Sequence, residues 1–502
     1  MAVAAPAQQQ SSRLIVASLE TLALIGFTVL GAAAVVMLGP NAIIYGVLSL
    51  AVAVALLHPR GFALALAAGI IVIEPNAILN PDDVLRPVAR AFYFGPPEYI
   101  QLMPLTLPPV ELLLLVTAGS LAVRARPHVA GAGRLPLLVW AAPLVLLLAI
   151  AYGLARGGPY NIVYHEARGL LFGMLAFLVA YRLRDVSPRH LYRMFLVAVA
   201  AFASVILIRH VLYFTGDADQ VAFEHRVAHE GVIFLGYGFT LGAIALLREK
   251  RWSMRLLLVA QVLLVLLAAM VTGRRAATLV LGVGAIILLW LLLPKRTLAV
   301  LLFASAATVV LGAYLATHWH QADGTLAQPA RAIRSQFDPT PRDLASNQYR
   351  QTEDYNKLQT IRTYFPLGIG FGHEFYQFEP LPDQTSFWPM QFYTGENNLL
   401  WLWLKTGYAG VSVLLGIWLL ALARCLAAVR SVPRDRALPA LPLVLAASLV
   451  LHLAFAQIDQ GLSTTRAAVP LAVVLAIALG VPLTAPEPRG EPGERAVERA
   501  ET

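Results

Sequence analysis

Arginines that flank long apolar segments are the groups of this 502-residue chain best suited to bind an anion. A guanidinium carries a rigid fork of N–H donors that matches the oxygens of phosphate and pyrophosphate. Arg274 and Arg275 are the clearest case, because they occupy a very short turn between two apolar runs. Pairing with lipid headgroups or nearby acids is the alternative for each arginine, and it explains the whole cluster less well. The predicted anion-binding residues are Arg168, Arg226, Arg274, Arg275, Arg350, Arg362 and Arg466.

A carboxylate and an amide, Glu396 and Asn397, follow the longest polar stretch of the chain. A carboxylate held against a hydroxyl group can act as a general base. Glu396 is therefore the predicted base, and Asn397 would orient it or contact the substrate. The alternative is structural, because an acid in the first turn of a helix interacts favourably with the helix dipole.

Metal binding is not predicted. Asp217 and Asp219 form a D-x-D pair whose oxygens could hold a divalent cation, but a solvated acidic turn explains the pair better. His318 and His320 lack further ligands at metal-binding spacing. Cys425 is the only cysteine, which excludes a disulfide within the chain and a cysteine metal cluster. We therefore expect no metal and no other cofactor.

A G-x-G-x-G segment lies in the same polar stretch. It comprises Gly368, Gly370 and Gly372. No strand–helix unit surrounds it, so it does not indicate a nucleotide site. We expect these glycines to let the backbone approach a bulky ligand, as a substrate loop, or another helix.

Two other polar pairs have a functional and a structural interpretation. His229 and Glu230 come at the mouth of an apolar segment, where they either line a site or cap a helix. Asp459 lies in a short loop near Arg466, and a simple ion pair would account for both residues.

The segments that must position these groups are apolar. The chain is 58% hydrophobic and 13% charged, with a mean hydropathy of +0.68, whereas soluble domains carry about 25% charged residues. The composition therefore predicts an all-α integral membrane protein, since helices satisfy their own backbone hydrogen bonds in lipid. The net charge of +9 does not indicate nucleic-acid binding, because the Lys and Arg residues fall mostly in alternate loops.

The apolar runs predict about 14 transmembrane helices (12–14), since a spanning helix needs about 20 apolar residues. The count varies because the second and third runs could instead form one re-entrant pair. Alternate loops are basic and the others are mixed or acidic, which places both termini in the cytoplasm. The predicted spans are 15–37, 41–57, 61–77, 107–124, 135–153, 165–183, 190–214, 230–248, 253–271, 275–293, 297–316, 396–424, 437–457 and 464–484.

Five regions follow from this topology. One long outer loop is predicted to carry amphipathic helices, because Tyr355, Leu358, Ile361 and Phe365 recur at helical spacing. Loops of this length are usually functional. The regions are a cytoplasmic arm (1–13), the first eleven helices (14–316), the periplasmic loop domain (317–395), the last three helices (396–484) and a disordered cytoplasmic tail (485–502).

Three segments in this order resemble the bacterial O-antigen ligase and O-antigen polymerase family. Residues 272–275 resemble its T-G-S-R-like turn between two helices. Residues 362–372 resemble its arginine-bearing loop helix with the P-x-G-x-G segment that follows. Residues 396–400, with Gly407 and Gly410 behind them, resemble its H-N-x-x-L helix start and G-x-x-G step.

The resemblance covers roughly residues 220–425 and has one departure, since Glu396 stands where the family has histidine. Glutamate can replace a histidine base but not a histidine that binds phosphate as a cation. We therefore assign Glu396 the base role.

The resemblance implies a glycosyltransferase of lipopolysaccharide or exopolysaccharide biosynthesis in the bacterial inner (cytoplasmic) membrane. Its donor would be a glycan linked to a polyprenyl pyrophosphate such as undecaprenyl pyrophosphate. The glycan would pass en bloc, with inversion and without a metal, to an acceptor on the periplasmic side. That acceptor is lipid A core for a ligase and another lipid-linked repeat unit for a polymerase.

Other classes remain alternatives. A lipid-linked glycan flippase or other multispan transporter would also bind an anionic headgroup through arginines, but such proteins tend to show related halves and polar groups at mid-depth. A metal-dependent membrane glycosyltransferase would carry an acid in its first outer loop, which is absent here. A membrane scaffold would leave the long polar loop and the outer arginines without a purpose.

Overall fold

The computed structural model is mostly helical, as predicted, with one antiparallel pair of two-residue strands. The predicted first span, the cytoplasmic tail, Arg226, Asp217 and Asp219 lie outside the described residues. The structure describes residues 41–75, 85–93, 101–102, 105–124, 135–183, 186, 188–214, 229–292, 297–321, 327–386, 388–431 and 440–480.

The elements follow the predicted apolar runs closely. A 3-10 turn, His229–Gly231, precedes α8. In chain order the elements are α1 (Asn41–Leu57), α2 (Pro59–Val72), α3 (Arg86–Tyr93), β1 (Gln101–Leu102), β2 (Leu105–Thr106), α4 (Pro109–Val123), α5 (Leu137–Ala155), α6 (Tyr160–Arg182), α7 (Pro188–Phe214), α8 (Val232–Arg248), α9 (Trp252–Val271), α10 (Arg275–Leu292), α11 (Thr297–His318), α12 (Gln328–Arg334), α13 (Pro341–Thr363), α14 (Asn398–Arg430), α15 (Ala440–Ile458) and α16 (Thr465–Gly480).

Seven helical segments among the described residues are long and apolar enough to cross a membrane. Several further apolar helices are shorter, among them α2, α4 and α16. The prediction of an all-α membrane protein is confirmed, while the count of fourteen spans stays a prediction. The seven are Leu137–Ala155, Tyr160–Arg182, His190–Leu212, His229–Arg248, Trp252–Val271, Asn398–Arg430 and Leu441–Ile458.

Two apolar cores hold the bundle together. The first is built from α4, α5, α6, α14 and α16, and the second from α7 to α10 with α15. Helix α16 packs most extensively against α6, and α15 joins the two cores by contacting both α14 and α8.

The loops that carry most of the predicted site residues meet at one end of this bundle, here called the polar end. It includes the α9–α10 turn, the segment between α11 and α14, and the α15–α16 loop. The long segment folds back on the bundle, since α12 packs on α10 and α13 packs on α14. Residues distant in sequence are therefore brought together at this end.

Helix α13 differs from the predicted amphipathic helix. Ile361 is buried as expected, but Tyr355 and Phe365 are exposed, and Phe365 lies beyond the helix end. The buried face instead carries polar groups, among them Glu353 and Lys357. The physical reason is that this face packs against the segment between α13 and α14, whose backbone groups need hydrogen-bonding partners. Asn356 bonds to the Glu379 backbone, and Glu353 accepts from the Glu396 amide.

Candidate functional site

The turn between α9 and α10 presents two adjacent arginines at the polar end. Gly273 takes a positive φ of 66°, a conformation that glycine adopts at little cost. The hydroxyl of Thr272 accepts a hydrogen bond from the Arg274 amide at 3.3 Å. The turn is thereby closed locally, and both arginine side chains are half-buried.

Arg275 reaches from the start of α10 to one face of α13. Its guanidinium donates to the Asn347 side-chain oxygen at 2.8 Å and to the Ser346 hydroxyl at 2.9 Å. One turn further along that face, Arg350 forms an ion pair with Glu396. Two predicted anion-binding arginines and the predicted base are therefore neighbours.

The segment before α14 is anchored to α13 as well. The Glu396 amide donates to the Glu353 carboxylate at 3.1 Å, and that carboxylate also pairs with Lys357 at 3.0 Å. The Asn397 side chain caps α14, since its oxygen accepts from the Leu400 amide at 3.2 Å. Its nitrogen donates to Asp354 at 3.2 Å. Asn397 thus has a capping role, and Glu396 is the residue with its side chain turned to the arginines.

A histidine–aspartate pair completes the polar end. His229 in the turn before α8 contacts Asp459, which follows α15, with 3.2 Å between Nδ1 and the carboxylate. The expected ion pair between Asp459 and Arg466 is therefore wrong. Arg466 pairs instead with Glu74 at 3.1 Å, because its side chain turns into the bundle interior.

The electrostatics link these groups. Burial raises the pKa of Glu396 above its ordinary value, and Arg350 opposes this shift. Burial lowers the pKa of Arg274, and the carboxylates of Asp459, Glu230, Glu74 and Glu396 act in the opposite direction. Arg274 therefore lies within the field of all four acids.

Three of the predicted arginines that the structure describes are not part of this group. Arg168 lies 3.9 Å from Glu111 in the membrane-spanning part of the bundle. Arg362 is exposed on α13, 12 residues after Arg350, which corresponds to about 18 Å along a helix. Arg466 is buried, with its guanidinium donating to the Glu74 carboxylate and to the backbone oxygens of Ile70 and Ile71 in α2.

The three glycines of the predicted substrate loop pack against protein. A Cβ on Gly368 would lie 2.4 Å from the Leu404 oxygen, and one on Gly370 would lie 2.7 Å from the Gly153 Cα. A Cβ on Gly372 would meet Val163 at 2.5 Å. We expected the segment to approach either a bulky ligand or another helix. In the structure it approaches other parts of the protein, including helices α5, α6 and α14.

This segment docks where α14 is kinked. Gly407 interrupts the helix with φ 67° and ψ −171°. The Tyr408 amide donates to the Pro366 oxygen, and the Ile369 amide to the Leu404 oxygen, each at 2.8 Å. The kink thus frees backbone groups of α14 for the glycine segment.

Sequence reasoning missed several buried polar residues. Asn398 accepts from the amides of Leu462 and Ser463 at 2.7 and 2.8 Å, which joins α14 to the α15–α16 loop. Lys405 and Glu166 form a buried pair at 2.7 Å. Lys405 and Glu166 each lie inside an apolar run. That position could have indicated a buried ion pair, because a buried charge needs a partner.

Among the described residues no group of three or more His, Cys, Asp or Glu side chains could hold a metal ion. The groups that do converge include three arginines, the carboxylates of Glu396 and Asp459, and the imidazole of His229. Such a set can bind a polyanion, accept a proton and donate one, which suits transfer from a phosphorylated donor.

Comparison with known proteins adds one finding. Residues 260–415 match the model of the O-antigen ligase family. The matched stretch includes Arg274, Arg275, Arg350 and Glu396, together with the glycine segment. The resemblance to O-antigen ligases and polymerases is therefore confirmed. A search of curated proteins found no match.

Proposed function

We propose that this protein is a glycosyltransferase that moves a glycan en bloc from a polyprenyl-pyrophosphate carrier to an acceptor hydroxyl at the polar end. The match to the O-antigen ligase family suggests lipid-linked glycan transfer. The observation that carries the proposal is the convergence of Arg274, Arg275 and Arg350 on Glu396 within the matched stretch.

The arginines would bind the pyrophosphate. Arg275 now donates to the neutral side chains of Ser346 and Asn347, whose place phosphate oxygens could take with stronger, charge-assisted bonds. When the bond to the sugar breaks, negative charge grows on the departing pyrophosphate. Fixed cationic donors stabilise that charge most where it develops, so the reaction needs no metal.

Glu396 would take the acceptor proton. Its carboxylate is ion-paired with Arg350, and a pyrophosphate that draws Arg350 away would leave it free to act as a base. The raised pKa of Glu396, caused by burial, would strengthen it in this role. Attack from the side opposite the pyrophosphate would invert the anomeric centre.

The remaining parts of the proposal concern location and acceptor. We place the protein in a bacterial cytoplasmic membrane with the polar end facing the periplasm, because alternate loops are basic and the long loop falls on the other side. The acceptor is lipid A core for a ligase and another lipid-linked repeat unit for a polymerase. Arg168, Arg362 and Arg466 have no direct role here, since they lie apart from the cluster.

The test is glycan transfer by the purified protein with a polyprenyl-pyrophosphate-linked oligosaccharide and both acceptors, in EDTA. We expect transfer by the unaltered protein and about a 100-fold or greater loss in Glu396→Gln and Arg275→Ala. Glu379→Gln and Arg251→Ala are matched controls, because both side chains are exposed outside the cluster.

Two outcomes would contradict the proposal. Transfer that requires a divalent cation would remove the metal-free mechanism and direct attention to Asp217 and Asp219. Binding of the lipid-linked glycan without transfer to either acceptor would favour a flippase or another transporter.

A further inference from the structure

The pair formed by His229 and Asp459 has the form of an oriented acid–base group. The Asp459 carboxylate is 3% exposed, whereas the His229 side chain is 44% exposed. The Gln460 amide donates to the same carboxylate at 2.8 Å, which fixes its position. Nδ1 of His229 faces the aspartate, and Nε2 has no hydrogen-bonding partner among the residues that the structure describes, so Nε2 is available to a substrate.

Several charged groups surround this pair. Arg274 comes from the α9–α10 turn, Glu396 from the segment before α14, and Glu230 from the same turn as His229. Burial acts to raise the pKa of Asp459, but His229 and Arg274 outweigh it and hold that pKa below its ordinary value. Asp459 is therefore ionised and can stabilise a protonated imidazole.

The pair lies beside one of the arginines assigned to the pyrophosphate. Arg274 lies near enough to interact electrostatically with both Asp459 and Glu396, and Glu396 in turn interacts with Asp459 and His229. A donor pyrophosphate bound at Arg274 would thus have the imidazole close to its oxygens and the carboxylate of Glu396 on the acceptor side.

We propose that His229 is a further catalytic residue, the general acid that protonates the departing pyrophosphate, and that Asp459 is its positioning residue. This inference rests on the proposed function. Glu396 and His229 then divide the proton transfers, one on the acceptor and one on the leaving group. Histidine suits the acid role because its charge changes most readily near neutral pH.

The reaction balances as follows. The acceptor oxygen forms a bond to the anomeric carbon while the bond from that carbon to the phosphate oxygen breaks. The hydroxyl proton passes to Glu396, and the imidazolium proton passes from Nε2 to the released phosphate oxygen. Glu396 then returns its proton to solvent, and His229 takes one from solvent.

A purely structural role for the pair makes a different prediction. A hydrogen bond that only joins the turn before α8 to the α15–α16 loop would affect folding and affinity, but not the dependence of the rate on pH or on the leaving group. An acid catalyst matters more as the leaving group becomes more basic. This difference allows a direct test.

The experiment measures kcat against pH at saturating donor and acceptor for the full chain and for His229→Asn. An asparagine amide stands near the position of Nδ1, so this variant can keep the contact to Asp459 while it removes Nε2. We expect a bell-shaped profile for the unaltered protein. The variant should lose the falling limb at high pH and about 100-fold in kcat near neutral pH.

A second donor sharpens the result. A methylene group in place of the oxygen that bridges the two phosphorus atoms makes the leaving group more basic. The loss of kcat caused by His229→Asn should be larger with this methylene donor than with the pyrophosphate donor. Asp459→Asn should move the falling limb to lower pH, because the imidazolium loses its counter-charge.

The controls separate this inference from the proposed function. His58→Asn alters an exposed histidine between α1 and α2 and should leave the profile unchanged. Binding of polyprenyl pyrophosphate without sugar should persist in His229→Asn, which reports an intact fold. The acid role is overturned if His229→Asn keeps the falling limb of the kcat profile, or if its loss of kcat is equal with both donors. Either result leaves the proposed glycan transfer intact. Absence of transfer by the unaltered protein overturns the proposed function instead.

Discussion

At the scale of single residues, the environment of a charged group decides its use. Arg275 and Arg466 both begin or nearly begin an apolar helix, and their sequence contexts are alike. Arg275 meets the neutral groups of α13 at a half-buried position, so an anion can compete for it. Arg466 is surrounded by Glu74, backbone oxygens and the faces of Phe202 and Phe234, each ring 5.1 Å away.

Glu396 leads to a prediction about pH. Only the ionised carboxylate can accept a proton, so transfer should fall as pH drops through the pKa of Glu396. Burial places that pKa above the ordinary value of 4.5, and Arg350 lowers it. Arg350→Gln should therefore move the rising limb of kcat/KM, which reports the free enzyme, to higher pH, and it should also weaken donor binding.

The measurement is the pH profile of kcat/KM for both forms, with donor affinity measured separately. Glu379→Gln should show an unchanged rising limb, since that side chain is exposed. A rising limb that moves to lower pH in Arg350→Gln would contradict the assigned interaction.

At the scale of elements, the kinked helix α14 and the glycine segment form one unit. The interruption at Gly407 leaves the Leu404 oxygen and the Tyr408 amide free to bond the segment at Ile369 and Pro366. This unit fixes the direction in which the chain leaves α13, the helix that carries Arg350. The glycines contribute to the site indirectly, because they allow the backbone of the segment to pack closely against its neighbours.

Gly370→Ala tests this interpretation of the segment. The added Cβ would lie 2.7 Å from the Gly153 Cα, at a backbone φ of +79°. Both the collision with backbone and the left-handed conformation are unfavourable, so we expect a lower thermal unfolding midpoint in detergent. Gly61→Ala is the control, because a Cβ there meets nothing within 4 Å in helix α2 and should be neutral or stabilising. If both variants unfold at the same temperature and only Gly370→Ala loses donor affinity, the segment would instead contact the substrate.

At the scale of the whole molecule, the bundle gathers polar groups at one end and apolar surface along its sides. Loops distant in sequence meet there because antiparallel helices return the chain to the same end at every second connection. The proposed periplasmic position of this end is supported by the basic loops at the opposite end, such as the one that contains Lys250 and Arg251.

Cysteine labelling tests that orientation. The native Cys425 is buried, so a membrane-impermeant thiol reagent should react with it weakly. In intact spheroplasts we expect Gln377→Cys, exposed at the polar end, to be labelled at once. Lys250→Cys, exposed at the opposite end, should react only after permeabilisation. The reverse pattern would contradict the proposed periplasmic site.

The sequence by itself determined the properties that depend on composition and on neighbours along the chain. The all-α membrane class, the positions of the described helices and the adjacency of Arg274 and Arg275 needed only apolar run length and spacing. The family resemblance likewise rested on short local motifs, and residues 260–415 confirm it.

Only the tertiary structure decided which polar groups meet. Arg350 pairs with Glu396, His229 with Asp459 and Arg466 with Glu74, and each pair joins parts of the chain at least 45 residues apart. Helical periodicity places a side chain on a face of its own helix but does not say which helix covers that face. The polar burial of α13 was missed for this reason, since it depends on the backbone of the segment between α13 and α14 that packs on it.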